Sequence, residues 1–349
     1  EGPGHLPDVS LVSGVFHRDR VVALAASTAH HVDMGGFAPG SMPFGVTEIY
    51  QEGLQIPPLK IFSGGLMDES LYRLINQNVR TQHEVRGDLM AQYAAARIAQ
   101  MRVDELMLRA DGEQALQYME PILDYAERRM RAAIEAVPDG VCEYVDYLDD
   151  DGIVDEPVTI AVRIAISGDS LHADFSGSSP QVRGPLNARL SAARAATYYV
   201  VKTVLDPDLP VCAGAHRPIE VFAPEGTILQ AQYPAAIGNA NILTDQRVVD
   251  VLLGALHQVV PDRVCAACSG EMNLINVGGI DPRTGAYYNY VETYAGGMGA
   301  MHDLDGDDGV HTHLTNTRNA PVEVIEGTYP LQVVRYGLVP DTEGAGSQR

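Results

Sequence analysis

The chain has 349 residues, of which 46% are hydrophobic, and it carries a formal net charge of −22. This length and apolar content allow one large domain or two to three ordinary ones, and they exclude wholesale disorder. The negative charge argues against binding to nucleic-acid phosphates or anionic membranes, and no apolar run reaches the roughly 18 residues that a membrane helix needs. With four cysteines and no signal-peptide pattern, we expect reduced thiols and a cytoplasmic location.

The first 58 residues predict a hairpin followed by a long loop. Two short apolar runs, residues 11–16 and 21–26, flank the polar segment Arg18-Asp19-Arg20, which indicates two strands joined by a turn. Residues 33–58 are rich in Gly and Pro, so we predict a long ordered loop there. Loops of this length in compact proteins usually carry function.

Residues 69–136 have a helical pattern. Gly87-Asp88 indicates a helix start with Asp88 as the N-cap, and apolar residues recur near helical spacing after it. Pro121 indicates the start of a second helix, which Pro138-Asp139-Gly140 ends.

The second part of the chain mixes strand and helix patterns. Runs of β-branched residues indicate strands, and the acidic run at 149–152 indicates an exposed turn. The predicted strands cover 158–166, 171–175, 272–295 and 321–337, and the predicted helices cover 188–205 and 244–259.

Helices and strands therefore alternate irregularly, without a repeating strand–helix–strand rhythm. This order predicts an α+β fold, a mixed multi-layer architecture with long helices in 69–136 and several mixed sheets. We place a domain boundary near residue 140. Residues 1–140 then hold a candidate metal-site segment and the helical region, and residues 141–349 hold the mixed α/β region.

Three residues near the N-terminus, His5, Asp8 and His30, form a candidate metal site. Imidazole and carboxylate ligands suit Zn, Mn or Fe(II), and three protein ligands leave positions for water and substrate. A divalent metal lowers the pKa of bound water from about 15.7 to about 7. His31 and Asp33 are candidates for supporting the ligands or for an alternative ligand set. By spacing alone, ordinary hydrogen-bonded side chains are the more common interpretation.

Two further motifs contain metal-ligand residue types. Residues 302–313 are rich in His and Asp, but an EF-hand beginning at Asp303 would place Asp308 and Leu314 where Gly and Glu are required. A solvated acidic turn between strands or a minor metal site are the two interpretations left. Cys265-Ala266-Ala267-Cys268 is a lone CxxC, which favours a buried structural pair over a zinc or redox site.

Several short phrases are spread along the whole chain. They are Gly4-His5-Leu6-Pro7-Asp8, Ala29-His30-His31-Val32-Asp33, Gly87-Asp88-Leu89, Asp174-Phe175-Ser176-Gly177 and Gly184-Pro185-Leu186-Asn187. Together they resemble the hydantoinase B family, which supplies one subunit of ATP-dependent lactam and hydantoin hydrolases and has relatives in ketone carboxylases. The chain begins just inside the family's metal-site segment and stops before a further Gly-rich stretch, so we expect a fragment or a short variant.

The resemblance implies the B-type subunit of an ATP-dependent hydrolase of cyclic amides, such as hydantoins, lactams or oxoproline. A hydantoinase A-type partner would bind ATP and phosphorylate the substrate. Water activated by a metal on His5, Asp8 and His30 would then complete hydrolysis. No GxxxxGK[ST] phosphate-binding motif occurs in the chain, which agrees with ATP belonging to the partner.

His31, Asp33 and Glu48 are candidate catalytic residues beside this metal set. For Asp33 and Glu48, which are candidate proton acceptors, an ordinary hydrogen-bonded role in the loop is the alternative. Two other functions stay open. One is a subunit of a ketone carboxylase, where a metal would orient an enolate toward carbon dioxide. The other is a structural subunit whose metal residues are vestigial.

Overall fold

Helices and small sheets alternate irregularly along the chain, which confirms the predicted α+β class. The computed structural model describes residues 4–109, 112–315 and 317–339. The strands are β1 (Asp8–His17), β2 (Arg20–His30), β3 (Phe62–Ser63), β4 (Leu66–Met67), β5 (Gly140–Leu148), β6 (Val158–Ser167), β7 (Ser170–Asp174), β8 (Ile219–Phe222), β9 (Asn273–Ile280), β10 (Tyr287–Tyr294), β11 (Gly297–Met298) and β12 (Asp307–Asp308). The helices are α1 (Glu69–Gln77), α2 (Gln82–Arg109), α3 (Gly112–Gln117), α4 (Met119–Glu135), α5 (Leu190–Leu205), α6 (Thr244–His257) and α7 (Val322–Thr328).

The N-terminal hairpin forms as predicted. Strands β1 and β2 pair antiparallel, and the two residues between them, Arg18 and Asp19, both have positive φ. Two such residues give the tight turn whose twist matches that of the strands. The register places Asp8 opposite His30 at the open end of the hairpin. Local sequence thus brings two of the predicted metal ligands together.

Helix α2 crosses the hairpin and is attached to it by two glutamines on the same helical face. The Gln92 amide donates to the carbonyl oxygens of Val9 at 2.7 Å and Ser27 at 3.0 Å, so it bridges both strands. Gln100, two turns later, accepts from the backbone N–H of Phe16 and donates to its carbonyl oxygen. These bonds satisfy backbone groups of the hairpin and fix its position on the helix.

The predicted helix start at Gly87-Asp88 is wrong, because α2 already begins at Gln82. Val85 is fully buried and Leu89 nearly so, and both pack in a small core with α1 and Met34. Burial of these apolar side chains extends the helix upstream, and packing of this kind outweighs the local preference of Gly and Asp.

A larger core lies around the sheet β5-β6-β7-β8, in which β7 and β8 run parallel and the other pairs antiparallel. Helices α4, α5 and α6 bury their apolar faces in this core, with Met130 and Ile134 of α4 fully buried. Helix α4 therefore packs with elements that follow residue 140, although it precedes the domain boundary placed there from sequence.

Two predictions in the second part of the chain need correction. Asp149 and Asp150 are exposed as expected, but Asp151 is buried and accepts four backbone N–H bonds. Burial alone would raise the pKa of Asp151, yet these donors hold it below its ordinary value.

The strand predicted at 321–337 is wrong, because α7 forms there. Its first turn closes on the carbonyl oxygen of Pro321, and Ile325 is buried.

The other predicted segments form largely as expected. Residues 158–166 and 171–175 form β6 and β7, and residues 188–205 and 244–259 contain α5 and α6. The segment 272–295 divides into the antiparallel pair β9 and β10. Among the helices of residues 4–109, 112–315 and 317–339, none is long and apolar enough to cross a membrane.

Two isoleucines of α4, one buried and one exposed, test whether one face of this helix is buried in the larger core. We expect Ile134→Ala to lower the free energy of unfolding by about 2–5 kcal/mol, because it leaves a cavity in the larger core. Ile122→Ala removes the same atoms from a side chain that is 55% exposed on the same helix, so it should change stability by less than about 0.5 kcal/mol. Urea unfolding of both variants measures the difference. Equal losses would contradict burial of α4.

Candidate active site

His5, Asp8 and His30 lie together at the open end of the β1–β2 hairpin. The Nδ1 atom of His5 is 2.9 Å from Oδ2 of Asp8. The rings of His5 and His30 have centroids 4.9 Å apart and are tilted by 52°. Asp8 is the first residue of β1, and its backbone N–H donates to the carbonyl oxygen of His5. This turn keeps the side chains of His5 and Asp8 in contact.

The surroundings of His5 fit a ring that presents Nδ1 to a cation. Nδ1 is buried, and its one close polar neighbour among the described residues is the Asp8 oxygen at 2.9 Å, in a geometry that is not that of a hydrogen bond. On the other side of the ring, Nε2 is 3.2 Å from the side-chain amide of Asn241, whose oxygen is buried and has no partner in the part of the chain that the structure describes. Rotating that amide lets its oxygen accept from Nε2–H and leaves the Nδ1 lone pair beside Asp8.

The surroundings of His30 favour its neutral form. His30 is an exposed residue at the end of β2, although its ring is partly desolvated by neighbouring protein atoms. This desolvation, together with the charge of His5, lowers the pKa of His30 to about 4, although Asp8 acts in the opposite direction. A neutral imidazole has a free lone pair, as metal binding requires.

His5, Asp8 and His30 are neighbours, but their ligand atoms do not all lie within 4.8 Å of one another. Among the described residues, the one set of three His, Cys, Asp or Glu side chains whose ligand atoms all lie within 4.8 Å of one another is Asp250, Cys268 and His313. The donors of His5 and Asp8 are already adjacent, so His30 is the ligand that would turn inward to meet them.

His31 is fully buried behind the predicted metal set. Its Nε2 is 3.1 Å from the amide oxygen of Gln92. Since the Gln92 nitrogen donates to two backbone carbonyls, its oxygen must accept, and His31 Nε2 therefore carries the proton. The remaining lone pair is on His31 Nδ1, which is buried without a partner in the described structure.

Asp33 organises the start of the long loop. Its carboxylate is fully buried and accepts from the backbone N–H groups of Gly35, Gly40 and Arg80. It also pairs with the Arg80 guanidinium at 2.8 Å. Arg80 in turn donates to backbone carbonyls of the same loop. These four contacts occupy both carboxylate oxygens, which agrees with the loop role that was the alternative to proton transfer.

The two glutamates of the loop have opposite surroundings. Glu48 is exposed, and its backbone N–H is capped by the side chain of Gln51 at 3.0 Å. Glu52 is fully buried, and its Oε1 accepts from the N–H groups of Ile237 and Gly238, each at 2.7 Å. Burial raises the pKa of Glu52 to about 7, although these donors and the charge of His5 lower it.

Glu52 is a residue that sequence reasoning missed as a site candidate. Its second oxygen, Oε2, is buried and has no hydrogen-bond partner within the described ranges. Its only signal in the sequence is its place in the Gly- and Pro-rich loop beside Gly53, because the partners that bury it lie far along the chain.

One later segment, residues 237–246, contacts both the long loop and His5. It bonds to Glu52 through Gly238, to the Pro43 carbonyl oxygen through Asn239, and to His5 through Asn241. Several of its side-chain oxygens are buried without partners in the part of the chain described. These are Oδ1 of Asn239, Oδ1 of Asn241, Oδ1 of Asp245 and Oε1 of Gln246. Such groups are normally paired, and the Asn241 amide lies beside His5, so this segment adds polar atoms to the site.

Comparison with known proteins adds the family context. The family model described as hydantoinase B/oxoprolinase matches residues 1–349. An uncharacterized protein of Methanocaldococcus jannaschii is 40% identical over 99% of this chain and 60% of its own length. A putative B-type subunit of a D-/L-hydantoinase from Pseudomonas sp. is 33% identical over 100% of this chain and again 60% of its own length. The chain thus spans 60% of the length of these relatives.

Solved structures agree with this context. The ATP-dependent caprolactamase of Pseudomonas jessenii superposes with a TM-score of 0.87 at 27% identity, over 95% of this chain and 58% of that chain. The nucleotide-free structure of an acetone carboxylase superposes with a TM-score of 0.84 at 18% identity, over 95% of this chain and 46% of that chain. The second likeness is one of fold alone. The resemblance read from the sequence phrases is confirmed.

Asp245 gives a pH test of the polar segment. Burial raises the pKa of Asp245 to about 7 from an ordinary 3.8. Between these values the unfolded chain releases the proton and the folded protein keeps it, so this group lowers stability as pH rises. We expect Asp245→Asn to gain stability relative to the wild type as pH rises from about 4 to about 7.

Urea unfolding at several pH values measures this effect. Asp208→Asn, at an exposed position, controls for the loss of one surface charge. A difference between Asp245→Asn and wild type that does not change with pH would contradict a buried, protonated Asp245.

Proposed function

Because this chain belongs to the hydantoinase B/oxoprolinase family, we propose that it acts as the B-type subunit of an ATP-dependent hydrolase of cyclic amides. The observation that carries the proposal is the cluster of His5, Asp8 and His30, with the buried carboxylate of Glu52 nearby. Two of the relatives, a B-type hydantoinase chain and an ATP-dependent caprolactamase, are named for rings that contain an amide.

We infer a division of labour with a hydantoinase A-type subunit. Resonance makes an amide carbonyl a poor target for water. Phosphorylation of the amide oxygen by ATP on the partner would remove that resonance before water attacks. The relatives support a partner by their names, because the hydantoinase and the caprolactamase relatives are each named as one subunit of an enzyme.

The chain's own residues then bind, orient and move protons. His5, Asp8 and His30 would hold a divalent cation, zinc, manganese or iron, which supplies a Lewis acid and lowers the pKa of water. Asn241 orients the His5 ring through Nε2. The hydrogen bond of Gln92 holds the His31 ring behind the same strand end.

Glu52 is the proton acceptor that the geometry favours. Its Oε1 is held by two backbone N–H groups, while Oε2 is buried and unpartnered among described residues. A carboxylate fixed by one oxygen and free at the other is oriented for general base catalysis. Asp33 with Arg80 keeps the loop that carries Glu52 in place.

Product identification tests the reaction class. The protein is co-expressed with its A-type partner and supplied with ATP, labelled bicarbonate and a panel of hydantoins, lactams and ketones. We expect an unlabelled open-ring product from a cyclic amide. Label in a carboxylated ketone would overturn the hydrolase and assign a carboxylase. Full activity of the complex without bound metal would leave the metal residues vestigial.

Loss of one ligand tests the metal set. We expect His30→Ala to lower turnover by at least about 100-fold and to lower metal content, with the urea midpoint of the metal-free protein unchanged. His83→Ala, an exposed histidine on α2, is the control and should keep full turnover. Retained activity with unchanged metal content in His30→Ala would contradict the assignment of His30 as a metal ligand.

The two loop glutamates separate proton transfer from a loop role. We expect Glu52→Gln to lower kcat by about 100-fold or more with metal content unchanged, because a carboxamide keeps the Oε1 contacts but accepts no proton. Glu48→Gln, at an exposed position, should behave as wild type. The reverse pattern would make Glu48 the proton acceptor. Steady-state kinetics of the assembled complex measure both variants.

A further inference from the structure

A second group of metal-ligand side chains lies at helix α6. Asp250 projects from the helix, Cys268 lies in the segment before β9, and His313 lies in the segment after β12. The Cys268 sulfur is 3.7 Å from each carboxylate oxygen of Asp250, and Nε2 of His313 is 3.8 Å from Oδ1 of Asp250. The ligand atoms of all three residues fall within 4.8 Å of one another.

These separations match the edges of a tetrahedral zinc site. With Zn–S near 2.3 Å and Zn–N or Zn–O near 2.0–2.1 Å, neighbouring ligand atoms are about 3.3–3.6 Å apart. The observed distances exceed this by a few tenths of an ångström where they are given pairwise. Small side-chain rotations would close the set around one ion.

The burial of the His313 Nε2 atom is hard to explain without a cation. The Asp250 side chain is 2% exposed and that of His313 is 7% exposed. Nε2 of His313 is buried and has no hydrogen-bond partner among the described residues, and it faces the Asp250 oxygen at a distance too long for a bond. Burying an unpartnered imidazole nitrogen against a carboxylate is costly. A cation between them would satisfy both.

Backbone donors also reach two of the three side chains, because the Cys268 N–H donates to Asp250 at 3.5 Å and the Gly270 N–H donates to the Cys268 sulfur at 3.3 Å. Neither bond reaches Nε2 of His313. Arg247 is 3.9 Å from Asp250 but 2.7 Å from Asp146, which is its main partner. The Tyr199 hydroxyl is 3.4 Å from Nδ1 of His313, the nitrogen that faces away from Asp250. A hydrogen bond to the distal nitrogen orients a metal-binding imidazole.

We propose that Asp250, Cys268 and His313 form a zinc site, a second metal centre that is independent of the function proposed above. A thiolate in the set selects a borderline-soft divalent ion over Mg²⁺ or Ca²⁺. The ion would attach the CxxC segment and the His- and Asp-rich segment 302–313 to α6. Each of these two motifs contributes one ligand, and the two ligands, Cys268 and His313, lie more than 40 residues apart in the sequence.

Cobalt substitution tests the site without any substrate. A thiolate bound to Co²⁺ gives a near-ultraviolet sulfur-to-metal charge-transfer band, and the set His5, Asp8 and His30 contains no sulfur. We expect the purified protein loaded with Co²⁺ to show this band. Cys268→Ser should abolish the band and lower zinc content by one equivalent per chain. Cys212→Ser, a half-buried cysteine elsewhere, and His30→Ala should both keep it.

Alkylation of the wild-type protein tests the site even where a variant does not fold. Zinc should slow alkylation of Cys268 by at least tenfold, measured by peptide mass spectrometry, while Cys212 in the same sample reacts at an unchanged rate. Absence of the cobalt band in the folded wild type, its persistence in Cys268→Ser, or equal alkylation of Cys268 with and without zinc would each overturn the proposal. These readouts do not depend on catalytic activity, so a failure of the function proposed above would leave them unchanged.

Discussion

The arrangement of the candidate active site depends on one buried ion pair, that of Asp33 with Arg80. Asp33 is fully removed from water, and a charge in such a place is stable only when hydrogen-bond donors surround it. Arg80 and three backbone N–H groups supply these donors. The pair therefore fixes the path of the chain where it leaves the hairpin, and this path determines where the rest of the loop lies.

Two glycines allow the loop to fold tightly around this pair. Gly35 and Gly36 have φ values of +83° and +81°, and a Cβ atom at either would clash with backbone atoms, of Asn78 and Glu52 respectively. Because the backbone passes this closely, Glu52 is carried into the interior, where its carboxylate meets the N–H groups of Ile237 and Gly238. The loop thereby connects the hairpin, with its small core, to the larger core.

Both candidate centres contain buried polar atoms that have no hydrogen-bond partner among the described residues. Most buried polar side chains here are saturated, as Asp151 and Asn187 illustrate with their four hydrogen bonds each. Other buried atoms have no hydrogen-bond partner within the described ranges, and these include Oε2 of Glu52, Oδ1 of Asn241 and Nε2 of His313. Leaving such groups unsatisfied costs free energy, so a ligand that reached them would be stabilising.

Sequence by itself determined what depends on neighbours a few residues apart: the β1–β2 hairpin, the strand β6, the helices α5 and α6, and the adjacency of Asp8 and His30 across the hairpin. It went wrong where distant packing competes with local preference, as at Asp88, where buried Val85 extends α2 upstream. Only the tertiary structure decided that Glu52 rather than Glu48 is buried, and that His313 meets Cys268 and Asp250. Those contacts join segments tens to hundreds of residues apart. They arise from how the two cores pack, and no local periodicity records that packing.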